Sequence, residues 1–235
     1  MRIEPLGDSA ILLTFGETAN PEVHHWIQSF LHAVSNRPFS WMTEASPAFT
    51  SIAIFYDPIK IAHVQHPFDQ IKQEIESFID NIDMTSNHSR DNHIVDIPVC
   101  YGGEFGPDLG AVASLHHITP NELIRLHSDG QYLVHMIGFT PGFPYLGGMT
   151  EKLATPRRST PRLVIPAGSV GIAGSQTGVY PLDSPGGWNI IGRTPIPLFR
   201  PNQDPPSLLK TGDIVRFYPI SAAEFIDWEL LDGDH

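Results

Sequence analysis

The feature that most constrains this chain is the run Gly138–Gly148, GFTPGFPYLGG. It holds four glycines, two prolines and three aromatic residues. Proline fixes the backbone angle φ and removes an N–H donor, whereas glycine reaches conformations that other residues avoid. The run therefore predicts one well-defined irregular loop rather than a helix or a regular strand.

The aromatic residues of this run give it a second property. Phe139, Phe143 and Tyr145, with Pro141 between them, are too apolar for an ordinary solvated loop. These side chains either fill the core of their domain or form part of a recognition surface. The sequence is compatible with both.

A second stretch of the same character spans residues 156–194. Its motifs are PRR, PR, PAGS, GSQTG and SPGGW. We expect the two stretches to form one surface, with the rest of the chain as its scaffold. Trp188, which ends the last motif, is either an aromatic anchor at an interface or a buried core residue.

Residues 1–88 predict a small α/β sandwich. The predicted elements are strands at 9–15, 39–45 and 51–56, and amphipathic helices that begin at Pro21, capped by Asn20, and after Pro67. The order β-α-β-β-α needs one more strand to complete a sheet. The polar stretch 83–93 has no hydrophobic period and predicts a linker, so we place the domain boundary between residues 88 and 89.

Residues 89–235 predict a closed or nearly closed β-barrel. The predicted strands are 94–99, 132–137, 163–165, 170–173, 189–191 and 214–218, with short helices at 107–117 and from the capping box at Thr119 to about Ser128. Short strands bounded by glycine or proline are typical of barrels. The predicted fold class is therefore α+β, a sandwich domain followed by a barrel domain.

Charge and hydrophobic pattern restrict the partners. A net charge of −12 argues against nucleic acid and against an anionic membrane surface, since both need basic clusters. No run approaches the length of a membrane span, and the N-terminus lacks the apolar region of a secretory signal. The single cysteine, Cys100, allows no internal disulfide, which suits a reducing cytoplasm. We expect a cytoplasmic protein.

Common catalytic signatures are missing from the sequence. It has no phosphate-binding loop with its lysine, no dinucleotide-binding glycine motif, no His-Glu-x-x-His and no Gly-x-Ser-x-Gly. The histidine pairs at 24–25 and 116–117 are adjacent, so their side chains diverge on a helix, and we expect no intrinsic metal site. His127 is either an acid–base group or a helix C-terminal cap. Cys100 has no evident base to activate it and is expected to be structural.

Positive charge collects in one part of this acidic chain. Arg157, Arg158 and Arg162 fall within six residues, and Arg193 follows in the same half. Guanidinium groups bind carboxylate or phosphate in a bidentate manner, so these arginines could form an anion-binding patch. Alternatively they pair with carboxylates at the barrel rim, with Asp183, Glu151 and Asp204 as candidates.

Two glycine-rich turns offer backbone amides and small polar side chains. They contain Gly168-Ser169 and Gly174-Ser-Gln176-Thr-Gly178. Such turns either form a nest of N–H groups for an anion or are ordinary turns of a barrel.

The ordered motifs resemble those of one known family. The motifs are GFTPGFPYLGG at 138–148, Pro156-Arg157, Pro161-Arg162, PAGSVGIAG at 166–174, Gln176-Thr-Gly, SPGGW at 184–188 and IGRTP at 191–195, with LGDSA at 6–10 and GDIVRF at 212–217. Together they resemble the family of 5-oxoprolinase B subunits, also described as allophanate hydrolase subunit 1, which includes the inhibitor of sporulation kinase A. The resemblance spans nearly the whole chain.

This resemblance implies a cyclophilin-like β-barrel after a small α/β domain. It implies a subunit that is inactive alone and works with subunits A and C in the ATP-dependent opening of 5-oxoproline to glutamate, with ATP used by the assembled complex and no intrinsic cofactor. The alternative that it implies is a regulator that docks on a sensor histidine kinase. The catalytic pattern of true prolyl isomerases, Phe-x-x-Gln-Gly-Gly, is missing, and a shared fold does not imply a shared activity.

The resemblance also leads to a hypothesis about the site. Arg157, Arg162 and Arg193 would hold a substrate carboxylate or a phosphorylated intermediate at the junction with a partner subunit. Ser169 and Gln176 would supply hydrogen bonds, and Phe139, Pro141, Phe143, Tyr145 and Trp188 would form the apolar part of the same surface.

Overall fold

The structure, a computed structural model, describes residues 1–18, 20–63, 65–82 and 93–232. The chain divides into two units, Met1–Arg90 and Asp91–His235. The predicted boundary between residues 88 and 89, and all but the last residue of the predicted linker, lie outside the described residues.

The N-terminal unit is a four-stranded antiparallel sheet with two helices. Its elements are β1 (Arg2–Pro5), β2 (Ala10–Thr14), α1 (Pro21–Asn36), β3 (Met42–Pro47), β4 (Ser51–Tyr56), a 3₁₀ turn (Pro58–Ile61) and α2 (Pro67–Asp80). The strand order is β1-β2-β4-β3. The extra strand that the pattern requires is β1, and β3 lies closer to the C-terminus than predicted.

One face of this sheet packs against both helices. The shared core includes Ile11 and Leu13 of β2, Ile52 and Ile54 of β4, Ile27 and Phe30 of α1, and Ile71 and Ile75 of α2. The start of α1 is fixed as predicted, because the Asn20 side chain accepts a hydrogen bond from the Val23 N–H at 2.8 Å. The predicted α/β sandwich is confirmed.

The C-terminal unit contains a closed barrel of seven strands. Its elements are β5 (Ile94–Tyr101), α3 (Leu109–Leu115), α4 (Pro120–Ser128), β6 (Tyr132–Ile137), β7 (Pro144–Gly147), a 3₁₀ turn (Glu151–Leu153), β8 (Arg162–Ile165), β9 (Ser169–Ala173), β10 (Gln176–Val179), β11 (Ser184–Gly186), β12 (Asn189–Arg193), β13 (Ile214–Ile220) and α5 (Ala222–Asp232). The barrel closes in the order β10-β7-β6-β13-β5-β12-β9, and β8 pairs with β11 in a separate two-stranded sheet. The predicted barrel is confirmed.

The barrel core is made of residues from its strands and from α3 and α4. It includes Val99, Val134, Leu146, Val170, Ile172, Ile191 and Val215, with Val112 and Leu123 from the helices. Helix α4 begins at the predicted cap, where the Thr119 hydroxyl accepts a hydrogen bond from the Glu122 N–H at 3.2 Å.

The prediction of one irregular loop over residues 138–148 is wrong for its second half. Residues Pro144–Gly147 form β7, which pairs with β6 and β10. Proline is tolerated as the first residue of a strand because its missing N–H is not needed there. Only the segment 138–143 is a turn, closed by a hydrogen bond from the Gly138 N–H to the Phe143 carbonyl at 3.0 Å.

The C-terminal helix α5 was not predicted, although its sequence contains a signal for it. The Ser221 N–H and hydroxyl both donate to the Glu224 carboxylate at 2.7 Å, and the Glu224 N–H donates back to the hydroxyl. This is a complete capping box. Across the residues that the structure describes, no helix is long and apolar enough to cross a membrane.

Candidate functional site

A cluster of aromatic rings lies where three barrel strands begin or end. Phe143 precedes β7, Tyr180 follows β10 and Trp188 precedes β12. The Phe143 ring meets Tyr180 at 5.3 Å and Trp188 at 5.6 Å between centroids, edge to face. All three are buried, so Phe143 and Trp188 are core residues rather than surface anchors.

The exposed part of the cluster is the tip of the β6–β7 turn. Phe139 is 62% exposed and its ring stands edge to face on Phe143 at 5.6 Å. Its φ of +71° is uncommon for a residue with a side chain. Pro141 beside it is also exposed, and Tyr145 on β7 is half-buried. The loop thus does both things that the sequence allowed: Phe143 fills the core and Phe139 faces solvent.

Two of the clustered arginines are bound to a single carboxylate. Asp108, just before α3, accepts hydrogen bonds from Arg158 at 2.9 Å and from both terminal nitrogens of Arg162 at 2.7 and 2.8 Å. The same carboxylate accepts the Ile190 N–H at 2.7 Å. Asp108 therefore ties the start of α3, the segment 158–162 and β12 together.

The electrostatics of Asp108 reflect this arrangement. Burial raises the pKa of the carboxyl, but the hydrogen bonds from Arg162 and from the Ile190 N–H, with the charges of Arg162 and Arg158, outweigh it and lower the pKa overall. The hydrogen bonds that Arg162 donates to Asp108 in turn raise the pKa of Arg162. Asp183, one of the rim carboxylates offered as a partner, accepts a hydrogen bond from the Ala167 N–H at 2.7 Å.

The remaining two arginines have different surroundings. The Arg193 Nε donates to the Ala167 carbonyl at 2.8 Å, and its guanidinium lies 5.7 Å from the centre of the Phe225 ring on α5. Arg157 is exposed. The predicted single patch of Arg157, Arg162 and Arg193 is therefore not a set of free cations, since Arg162 holds Asp108 and Arg193 holds α5 against the barrel.

Of the two interpretations of the glycine-rich turns, the hydrogen bonds favour ordinary turns of the barrel. The Gly168 N–H donates to the Tyr180 carbonyl, the Ser169 N–H to the Pro166 carbonyl and the Gly174 N–H to the Thr155 carbonyl, so these amides are used by barrel turns. Ser169 is buried, whereas Gln176 at the start of β10 is half-buried.

Comparison with known proteins finds a family and relatives that match most of the chain. A family described as carboxyltransferase domain, subdomain C and D, matches residues 1–209. The chain is 47% identical to the B subunit of 5-oxoprolinase from Bacillus subtilis (strain 168) over 229 residues, which cover 95% of both proteins. The chain belongs to the family of 5-oxoprolinase B subunits. The B subunit of the Haemophilus influenzae 5-oxoprolinase is 41% identical, over 92% of this chain and 97% of its own.

Among solved structures, TTHA0988 shares the fold of this 5-oxoprolinase family member. Its crystal structure matches 91% of the chain with a TM-score of 0.77 and 32% sequence identity. The matched region is 40% of the TTHA0988 chain, so the chain spans about two fifths of that longer protein.

In this member of the 5-oxoprolinase family, His127 is a core residue and neither a cap nor an acid–base group. Its Nδ1 lies 2.8 Å from the Tyr101 hydroxyl and its Nε2 lies 2.9 Å from the Thr177 hydroxyl. Because the Thr177 hydroxyl donates its one proton to the Gly171 carbonyl at 3.0 Å, Nε2 must carry the imidazole proton and Nδ1 must accept from Tyr101. Burial lowers the pKa of His127 to about 3.

Cys100 is equally unsuited to react. It is buried on β5, and burial, with the negative charge of Glu104 nearby, raises the pKa of its thiol. A thiol with a raised pKa is a weak nucleophile near neutral pH, which agrees with the structural role expected for it. In the described part of the chain, no three His, Cys, Asp or Glu side chains come together as metal ligands.

Proposed function

We propose that this chain is the B subunit of an ATP-dependent 5-oxoprolinase, which opens 5-oxo-L-proline to L-glutamate together with subunits A and C. The observation that carries the proposal is the 47% identity to the B subunit of a 5-oxoprolinase over 95% of both proteins. Identity at that level, over nearly the whole of both chains, makes it reasonable to transfer the role of the relative.

The chemistry of the chain supports a subunit that is inactive alone. The imidazole of His127 is buried and neutral, and the Cys100 thiol is buried with a raised pKa. Asp108 is held by two arginines. We therefore assign the catalytic groups and the use of ATP to the assembled complex, in the cytoplasm.

We assign contact with a partner or substrate to those residues of the predicted surface that solvent reaches. They are Phe139, Pro141, Tyr145, Arg157 and Gln176, each exposed or half-buried. Arg157 is the cation that we assign to a substrate carboxylate or a phosphorylated intermediate, since its guanidinium can bind either in a bidentate manner. Arg162 and Arg193 act behind this surface as positioning residues.

An assay in which subunits are omitted one at a time tests the proposal. The full mixture of the three subunits should convert 5-oxo-L-proline to glutamate with hydrolysis of ATP, and omission of this chain should abolish the activity. An unchanged rate without this chain, or turnover by this chain alone, would refute the assignment.

Inhibition of a sporulation histidine kinase stays a prediction from the sequence resemblance. Titration of the chain into a kinase autophosphorylation reaction tests it directly.

A further inference from the structure

Strand β8 of the β8–β11 ribbon carries two exposed apolar side chains. On β8, Leu163 is 89% exposed and Val164 is 62% exposed. The neighbouring Ile165 is fully buried and belongs to the aromatic cluster with Tyr180 and Trp188. One end of β8 is therefore anchored in the core, while its two central side chains face solvent.

Several polar contacts fix this ribbon in place. Asp108 holds Arg162 at the first residue of β8, and the Arg158 N–H donates to the Gly187 carbonyl at 2.8 Å. The Asn189 side chain donates to the Pro156 carbonyl at 2.8 Å. Leu163 and Val164 are thus exposed on a strand that hydrogen bonds hold in place.

The outer edge of β8 is available for pairing. Among the residues that the structure describes, β8 pairs with β11 alone. An unpaired edge presents N–H and C=O groups that can accept another strand, and peptide recognition by strand addition combines those backbone bonds with side-chain contacts. Leu163 and Val164 are neighbours in the strand and point to opposite faces of the ribbon, so an added strand would meet an apolar side chain of β8 on each face.

The charge near the ribbon indicates the chemistry of the occupant. Arg157 is exposed, and the side chains of Arg158 and Arg162 are 35% and 26% exposed. Arg158 and Arg162 share one carboxylate, Asp108, and Arg157 precedes them in the chain, so positive charge is in excess near the start of β8 although the net charge of the chain is −12. The same edge of a second copy of the chain would bring the same excess of positive charge, whereas an acidic segment would complement it.

The comparison with TTHA0988 indicates where such a segment comes from. In that protein the same fold is two fifths of a longer chain, so the rest of that chain accompanies it covalently. If a separate subunit takes the place of the rest of the TTHA0988 chain, it needs a surface of the present chain on which to bind.

We propose that the edge of β8, which carries Leu163 and Val164 and follows Arg157 in the chain, binds an extended acidic segment from a partner of this chain, which pairs with β8 as an added strand. This inference rests on the proposed function for the identity of the partner, although the docking surface itself is defined by this chain alone.

Binding measurements with purified subunits A and C, each alone and together, test the proposal. The variant Leu163→Asp should raise the Kd for the partner by about tenfold or more, as for a residue at the centre of an interface. The matched control is Ile59→Asp in the N-terminal unit, because Ile59 is 84% exposed and receives the same change. Arg157→Gln should weaken binding and reduce its dependence on salt, whereas Arg2→Gln should not.

The outcomes separate this proposal from the proposed function. Circular dichroism and thermal melting establish that each variant is folded, and Val164→Ser replaces Leu163→Asp if the latter is not. If subunits A and C bind Leu163→Asp as tightly as the wild type and the assembled complex is active, the docking surface is overturned and the proposed function stands. A complex that depends on Leu163 but lacks 5-oxoprolinase activity supports the docking surface and refutes the function. Self-association of the wild type that Leu163→Asp abolishes, while subunits A and C bind as before, also overturns the proposal.

Discussion

Acidification should destabilise the barrel through His127, which is fully buried. The pKa of its imidazole is lowered by burial to about 3, against about 6.5 in an unfolded chain. Below pH 6.5 the unfolded chain therefore binds a proton that the folded chain does not. Stability is lost as the pH falls from about 6.5 towards about 3, and it is independent of this group above that range.

The size of the effect follows from the difference between the two pKa values. Each unit of pH in this range contributes about 1.4 kcal/mol, so His127 should cost the folded state about 2 kcal/mol at pH 5 relative to neutral pH. Urea unfolding of the barrel at pH 7.5 and pH 5, for the wild type and His127→Gln, measures this. Other titrating groups are common to both proteins, so the difference between their pH dependences isolates His127.

Two results would contradict this reasoning. One is a parallel loss of stability in the wild type and His127→Gln between pH 7.5 and pH 5. The other is a charged imidazole, or a neutral one with its proton on Nδ1, in an NMR spectrum of the histidine ring nitrogens at pH 5. We expect a neutral ring with its proton on Nε2, and any other result would mean that the hydrogen bonds with Tyr101 and Thr177 are wrongly assigned.

Three further predictions concern the contacts around the site. Asp108→Ala should lower the free energy of unfolding by about 2–4 kcal/mol, because two arginines and a buried N–H lose their acceptor. The control Asp183→Ala removes one exposed hydrogen bond and should lower it by less than about 1 kcal/mol. Equal losses for the two variants in denaturant unfolding would contradict the role given to Asp108. Trp188→Ala should cost about 3–5 kcal/mol as a core truncation, and a cost below about 1 kcal/mol would show that Trp188 is not a core residue. Cys100 should resist thiol reagents in the native protein and react fully in denaturant; rapid native labelling would refute its burial.

The regular elements could be predicted because their signals are local. The capping residues Asn20 and Thr119 and the apolar spacing behind them mark helices that the structure contains, and β4 and β6 occupy the predicted residues. Strand β7 was missed because Pro144 reads as a strand breaker unless it is the first residue. Helix α5 was missed although its capping box was present in the sequence.

The site could be predicted only in part because its decisive contacts are long-range. Asp108 lies 50 and 54 residues before the arginines that it binds, and no local pattern links them. The hydrogen bond between His127 and Thr177 likewise joins residues that are 50 positions apart. The sequence indicates which residue types are unusual, but whether an arginine is free or paired depends on the tertiary fold.

Phe139 allows the recognition role of the β6–β7 turn to be separated from its structural role. Its positive φ costs a residue with a Cβ of the order of 1 kcal/mol, and 62% of the residue is exposed, so the folded barrel gains little from its ring. Phe139→Gly removes the ring and the strain, whereas Phe139→Ala removes the ring and keeps the strain. The Gly variant should therefore be as stable as the Ala variant or more stable, by up to about 1 kcal/mol after the greater freedom of glycine in the unfolded chain is counted.

Both variants should bind the partner subunits more weakly than the wild type, and to a similar extent, because both lack the ring. If binding and 5-oxoprolinase activity of the complex were retained by both, Phe139 would have no part in recognition, and its strained, exposed position would have to be explained by the turn alone.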